Sequence, residues 1–215
     1  MCKHFDEEQL SRLREKVEKE MSPYRFAHTK GVEEMAARLA ALYVPKEVSL
    51  LRAAAILHDV TKERNEEWQR ELIAARGISL RPDEASSPKI LHAITAALLI
   101  PCQYPDFANE TLLSAVRWHT TGHGAMTVPE ALLYLADYIE EGRRFGDCVR
   151  LRKMFFDAKP EGMDMAAREH HLWSVMHAAL SLTVSNLEVK GACVCLDTLA
   201  ACEDLRKKLS LLKGM

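Results

Sequence analysis

The chain has 215 residues, 48% of them hydrophobic, with 29 Lys and Arg against 31 Asp and Glu and a formal net charge of −2. That length supports one substantial core with an appended helix or two, and the interspersed charge gives no electrostatic case for a nucleic-acid or membrane partner. Residues 1–20 are charged rather than signal-like, and the longest apolar runs, such as 93–102, are too short to span a bilayer, so a soluble cytoplasmic protein is expected.

In chain order, Leu10, Leu13, Val17 and Met21 mark an amphipathic helix. Ser22 and Pro23 read as N-cap and first residue of the next, which carries His28, Val32, Met35, Leu39 and Leu42 on one stripe and tolerates Gly31 for close packing. Pro45 stops it and opens a helix in which Val48, Leu51, Ala55 and His58 share the core face, ending at His58-Asp59. Asn65 caps a polar helix running to Gly77. Residues 79–87 read as a loop. Pro88 then starts a helix with His92, Ala96 and Leu99, broken by Pro101 and Pro105. Asn109 caps a short helix with Leu112, Val116 and His119, and 120–127 is a glycine-containing loop. Thr127 and Pro129 start the helix of Asp137, which runs to about Gly142. A short connection leads to a long pattern (Trp173, Met176, Leu180, Val184, Leu187) ended by Gly191, and a last amphipathic helix covers Leu196–Leu212. With no alternating strand pattern anywhere, the fold class is all-α, without repeats or low-complexity linkers. The expected organisation is a helical extension over 1–22, a main domain over 23–190, and a C-terminal helix over 191–215 packed on that domain.

His28, His58, His92 and His119 each fall on the apolar stripe of a different helix, and Asp137 sits in the apolar stretch Ala131-Leu-Leu-Tyr-Leu-Ala-Asp-Tyr-Ile139. Any one of these alone reads as a satisfied core residue. Together with Asp59 they would cost several kcal/mol each if buried unpaired. Convergence on a metal centre inside a helical bundle resolves that cost, and mixed imidazole and carboxylate donors suit iron, manganese, zinc or cobalt. Six ligands exceed what one catalytic ion with an open position needs, and fit two ions bridged by a carboxylate, an arrangement used for phosphate-ester hydrolysis. Lys62 would meet phosphoryl charge. Arg143 and Arg144 read equally as phosphate contacts or as solvated surface. The remaining histidines, His4, His123, His170, His171 and His177, lack this support; His170 and His177 share a helical face but no nearby acid completes a site there, and His123, beside His119 in a loop, is the one placed to touch substrate. Cys2, Cys102, Cys148, Cys193, Cys195 and Cys202 include no Cys-x-x-Cys, and the Cys193-x-Cys195 pair reads as ordinary thiols rather than a zinc site.

The pattern His28…His58-Asp59…Asp137 resembles the signature of the HD-domain phosphohydrolase superfamily. Five segments extend the likeness in order and spacing: Arg25-Phe-Ala-His-Thr-Lys-Gly-Val32, Ile56-Leu-His-Asp-Val-Thr-Lys62, Leu91-His-Ala93, Trp118-His-Thr-Thr-Gly122, and Met126-Thr127 followed by Tyr134-Leu-Ala-Asp-Tyr-Ile-Glu140. They resemble the YqeK-type group, bacterial enzymes that split diadenosine tetraphosphate symmetrically into two ADP. The resemblance runs from about Arg25 to Lys153. It implies a helical bundle around a dinuclear centre, two divalent ions that are usually iron, and a homodimer. It places His28, His58, Asp59 and Asp137 on one ion, and Asp59, His92 and His119 around the second. It also implies nucleoside diphosphate recognition near the metals, for which Lys62, Thr121, Gly122, His123, Arg143 and Arg144 are the expected contacts. The chain departs from the pattern at Thr61, where Ala is usual, at Ala96, where Gly is usual, and at Glu141-Gly142, where Pro and Asn are usual.

The expected function is thus metal-dependent hydrolysis of a dinucleoside polyphosphate, with water as nucleophile. Asp59 would bridge the ions and hold that water, and Lys62 would stabilise phosphoryl charge. Two rivals keep the same residues. An HD-type nucleotidase or guanosine-polyphosphate hydrolase would differ in its pocket and release phosphate or pyrophosphate. A non-catalytic nucleotide-binding regulator would lack ligands, whereas all six positions are filled here.

Overall fold

A computed structural model describes residues 4–212 of the chain, with side chains through 211; Cys2 lies outside the described residues. The described residues form eleven α-helices joined by short 3-10 turns and contain no strand. The first is α1 (Glu7–Glu18), which buries Leu10, Leu13 and Val17 and starts on an Asp6–Gln9 capping box. Then follow α2 (Pro23–Tyr43), capped by Ser22, and α3 (Val48–Leu57), which ends at His58. Asn65 caps α4 (Glu66–Ala75), and Asn109 caps α7 (Glu110–Trp118); in each case the side chain accepts a free first-turn N–H.

Four details differ from the sequence expectation. Residues 79–87 contain a helical turn, α5 (Pro82–Ala85), because the Arg81 N–H donates to the Glu84 carboxylate at 3.0 Å and closes it. Pro101 does not break its helix. It falls in the last turn of α6 (Leu91–Gln103), where one lost N–H is tolerated, and the chain turns only at Tyr104-Pro105. The helix α8 (Val128–Ile139) stops before Gly142, because Glu140 is extended at ψ 153°. The short connection after it is a helix of its own, α9 (Gly146–Phe156), burying Cys148, Leu151 and Phe155. The chain ends with α10 (Met165–Val189) and α11 (Leu196–Leu212).

The helix α2 is the central post: α3 and α8 pack along it, and α7 packs on α3, α6 and α8. One apolar core runs from Phe5 through these helices to Leu205 of α11, with α1 laid on α3 and α11 laid on α10. The helices that carry the four histidines and Asp137 therefore meet in the middle of the bundle. No helix among the described residues is long and apolar enough to cross a membrane.

Candidate metal centre

Two helix ends use the same local device. His58 follows α3 and His119 follows α7, each at the C-cap. Each ring turns back, so that Nδ1 lies 2.6 Å from Ala55 O and 2.7 Å from Val116 O. A carbonyl only accepts, so Nδ1 carries the proton in both rings and Nε2 presents its lone pair inward. His28, within α2, repeats the arrangement with a carboxylate: its Nδ1 lies 3.2 Å from Glu140 Oε1. Glu140 reaches this position because residue 31 is glycine; a Cβ there would stand 2.5 Å from Glu140 Oε2. An outer acceptor that fixes the tautomer and aim of a histidine is the usual support of a metal-ligating ring.

The inward atoms converge. His28 Nε2 is 2.9 Å from Asp137 Oδ1 and 4.0 Å from Asp59 Oδ2. His58 Nε2 is 3.5 Å from Asp59 Oδ2 and 4.0 Å from Asp137 Oδ1. On the other side, Asp59 Oδ1 is 3.2 Å from His92 Nε2 and 3.7 Å from His119 Nε2, and those two nitrogens are 3.1 Å apart. Asp59, 3% exposed, thus turns one oxygen to each set of imidazoles. Two groups of donor atoms, His28/His58/Asp137 and His58/Asp59/His119, are each compact enough to hold a metal ion. The fit is clearest at His58: its ring is fully buried, and its Nε2 has no hydrogen-bond partner. A buried lone pair facing carboxylates and other lone pairs is unfavourable until a cation joins it. Guanidinium groups already lie on the carboxylates, Arg25 Nη1 at 2.7 Å from Asp59 Oδ2 and Arg143 Nη2 at 2.7 Å from Asp137 Oδ1.

Protonation follows the same logic. Burial pushes His58 down to about 3 and His92 down to about 4, so both rings are neutral near pH 7. Burial works against ionisation of Asp59, yet its surroundings hold the carboxyl well below its ordinary range, and the Arg25 guanidinium lies 2.7 Å from it. Burial likewise opposes ionisation of Asp137, and the His28 hydrogen bond and the Arg143 charge win. For His28 burial lowers the pKa, but the hydrogen bond and charge of Asp137 leave it raised. Lys62 is lowered by burial, against the pull of Asp59 and Asp137. Neutral imidazoles and ionised carboxylates are the forms that bind metal.

The expected substrate contacts divide. A cavity of about 490 Å³ opens beside the cluster, walled by His119, Thr120, Tyr138, Asp137 and Arg143 among others. Its wall takes Arg143 but not Thr121, Gly122, His123 or Arg144. Thr121 is buried with its hydroxyl on Gly122 O, and Gly122 closes α7 through its N–H to Trp118 O at 2.8 Å. His123 lies against Trp118 and reaches Glu130 Oε2 at 3.1 Å, and Arg144 is exposed. The Lys62 ammonium sits 3.0 Å from His92 Nε2, at the edge of the second group. Cys195 pairs with Asp83 at 3.2 Å within an Arg81–Asp197 ion-pair cluster, while Cys193 is exposed.

Spacing alone assigned no role to Arg25, Glu140, Thr61 or Thr120. Thr61 Oγ1 donates to His92 O at 2.9 Å, and Thr120 Oγ1 lies 3.2 Å from His92 Nε2. A local signal existed for two of them: Arg25 stands three residues before His28, and Glu140 three after Asp137, so each shares a helix face with a metal-site residue or continues it.

Comparison with known proteins agrees with this geometry. The HD domain family matches residues 25–142. A symmetrical bis(5'-nucleosyl)-tetraphosphatase of Bacillus subtilis is 32% identical over 138 residues, 64% of this chain and 73% of that protein. The enzyme of the same name from Halalkalibacterium halodurans is 34% identical over 136 residues, 63% of this chain and 71% of that protein. A crystal structure described as a predicted HD superfamily hydrolase involved in NAD metabolism, from Clostridium acetobutylicum, superposes with a TM-score of 0.80 at 24% identity, covering 96% of this chain and 100% of the other; at that identity the likeness speaks for the fold.

Proposed function

The chain belongs to the HD-domain family, and from that premise we propose that it is a metal-dependent hydrolase splitting diadenosine tetraphosphate, or a related dinucleoside polyphosphate, into two nucleoside diphosphates. The observation that carries the reading is the convergence of imidazole and carboxylate donor atoms, with the buried and orphaned His58 Nε2 among them, beside a cavity of about 490 Å³. We assign His28, His58, Asp59 and Asp137 to one divalent ion and Asp59, His92 and His119 to a second, with iron as first choice and manganese, cobalt or zinc as alternatives. Bound there, the ions would supply Lewis acidity toward phosphoryl oxygens and a lowered pKa for water.

The chain's own groups do the rest. Asp59, held between Arg25 and His92, keeps its carboxylate ionised and orients the attacking water by accepting its O–H. Water oxygen adds to one of the two inner phosphorus atoms and releases a proton to solvent, the bridging P–O bond on the far side breaks, and its electron pair leaves with the second nucleoside diphosphate. Lys62 and Arg143 face the developing negative charge, which such preorganised donors stabilise more in the transition state than in the ground state. The cavity walled by Thr120, Tyr138 and Arg143 takes one nucleoside diphosphate half.

Chromatography of the products tests this. ADP as the sole product of diadenosine tetraphosphate is the expected result. AMP with ATP would overturn symmetrical cleavage, and release of phosphate or pyrophosphate would move the chain to the nucleotidases.

A further inference from the structure

A second cavity, about 230 Å³, lies beside the first at the edge of the cluster. His28, Arg25 and Arg143 form its inner wall, and Tyr24 and Phe145 its outer wall. The two cavities share Arg143 and Phe145, so they meet at one partition beside Asp137 and His28. Tyr24 is 80% exposed and Phe145 71% exposed. Single exposed aromatics are ordinary, but two on the wall of one small cavity make a stacking surface, and it adjoins Arg25 and Arg143, whose guanidinium groups also pair with Asp59 and Asp137, and the Glu140 carboxylate held on His28.

We infer that the Tyr24–Phe145 cavity is the subsite for the second nucleoside of the substrate, its base stacking on these two rings while Arg25 and Arg143 face the phosphates that join it to the centre. The inference rests on the hydrolase reading above. In-line displacement drives the leaving half away from the attacking water, so the halves of a symmetrical substrate extend from the centre in different directions. Two cavities with separate walls, meeting only at Arg143 and Phe145, offer a place for each half. Stacking on aromatic rings tolerates any base, because every base has a π-face. The subsite therefore selects a substrate with a nucleoside at both ends over one with a bare terminal phosphate, and it does so without reading adenine against guanine.

ADP titration by calorimetry of the metal-loaded full chain, run beside the hydrolysis assay, tests the subsite. Two ADP should bind per wild-type chain. Tyr24→Ala should weaken one of them about ten-fold, the effect of removing one stacking partner, while Tyr24→Phe restores it. The ratio of kcat/KM for diadenosine tetraphosphate to that for adenosine tetraphosphate should fall about ten-fold in Tyr24→Ala for the same reason. Tyr24 is exposed, so loss of folding does not cloud the result. A wild-type chain that produces ADP but binds a single equivalent keeps the hydrolase reading and removes the subsite. So does a Tyr24→Phe variant as impaired as Tyr24→Ala. A chain that binds two ADP with the Tyr24 dependence but hydrolyses nothing removes the hydrolase reading and leaves a nucleotide site at Tyr24.

Discussion

Two charged clusters flank α2, and they are built on opposite principles. Near its N-terminal end, His28 faces His58, Asp59 and Asp137. Farther along, Glu33 faces Arg14 and Arg52, which also hold Glu7. The Glu33 cluster closes on itself. Arg14 Nε and Nη2 reach the two Glu33 oxygens at 2.8 and 3.1 Å, Arg52 Nε donates to Glu33 Oε1 at 3.0 Å, and Arg52 Nη1 donates to Glu7 at 2.7 Å. Two guanidinium groups meet two carboxylates, and the result fastens α1 to α2 and α3. The His28 cluster gathers lone pairs instead. Its His58, His119 and His28 Nδ1 atoms turn outward to Ala55, Val116 and Glu140, and although Arg25 and Arg143 reach Asp59 and Asp137, the His58 Nε2 lone pair is left inside without a donor. A carboxylate whose partners are all built-in donors is structural, whereas a buried imidazole lone pair left without a donor beside carboxylates is prepared for a cation that the chain does not encode.

Breaking the acceptor cluster should have the largest effect. Asp59→Asn should abolish turnover and weaken both ions, since a neutral amide cannot bridge as a carboxylate does. His119→Ala should abolish turnover yet retain one ion. Metal analysis of the purified variants decides this: two ions retained by Asp59→Asn, or none lost by His119→Ala, would return Asp59 to a helix-end carboxylate. Next in size is Lys62→Ala, which should lower kcat by ~10²–10³ with metal content near normal, because its charge acts on the phosphoryl group. Equal activity in steady-state assays would make Lys62 a mere neighbour of His92. Glu140→Ala should act one layer out, freeing the His28 ring and weakening metal affinity by roughly 10–100-fold, as loss of an orienting acceptor does. Competition with a chelator measures it, and Gly31→Ala should move affinity the same way by displacing the same carboxylate.

The self-contained cluster should answer to pH and not to metal. Hydrogen bonds from Arg52 and Arg14 hold Glu7 down at about 2, against an ordinary value of 4.5. A depressed carboxyl contributes stability that is complete above about 4.5 and is lost as pH falls toward about 2. Melting curves of the wild type and Glu7→Gln should therefore differ by a few degrees at most at pH 7 and converge as the medium approaches pH 2, with metal content alike throughout. Glu7 is largely exposed, and screening keeps the effect the smallest of the four.

Much of this protein is local physics and is legible from residue order. Ser22, Asn65 and Asn109 cap the helices that follow them, and Leu196–Leu212 is helical over the span its pattern indicates, because capping and apolar periodicity act within a few residues. The same periodicity placed His58, His92 and His119 inward, and all three are buried. A stripe of residues that is apolar except for one histidine leaves that histidine nowhere else to go. What the chain order did not decide is which side chains meet across helices. Arg25 on Asp59, Glu140 in the space that Gly31 leaves open, and Tyr24 beside Phe145 depend on how far α2 and α8 are shifted and turned against each other. Thr120 rather than Thr121 walls the larger cavity because the turn after His119 sends adjacent side chains in different directions. Helix spacing specifies a face, but axial offset and loop path, set only when the whole core packs, specify the neighbour.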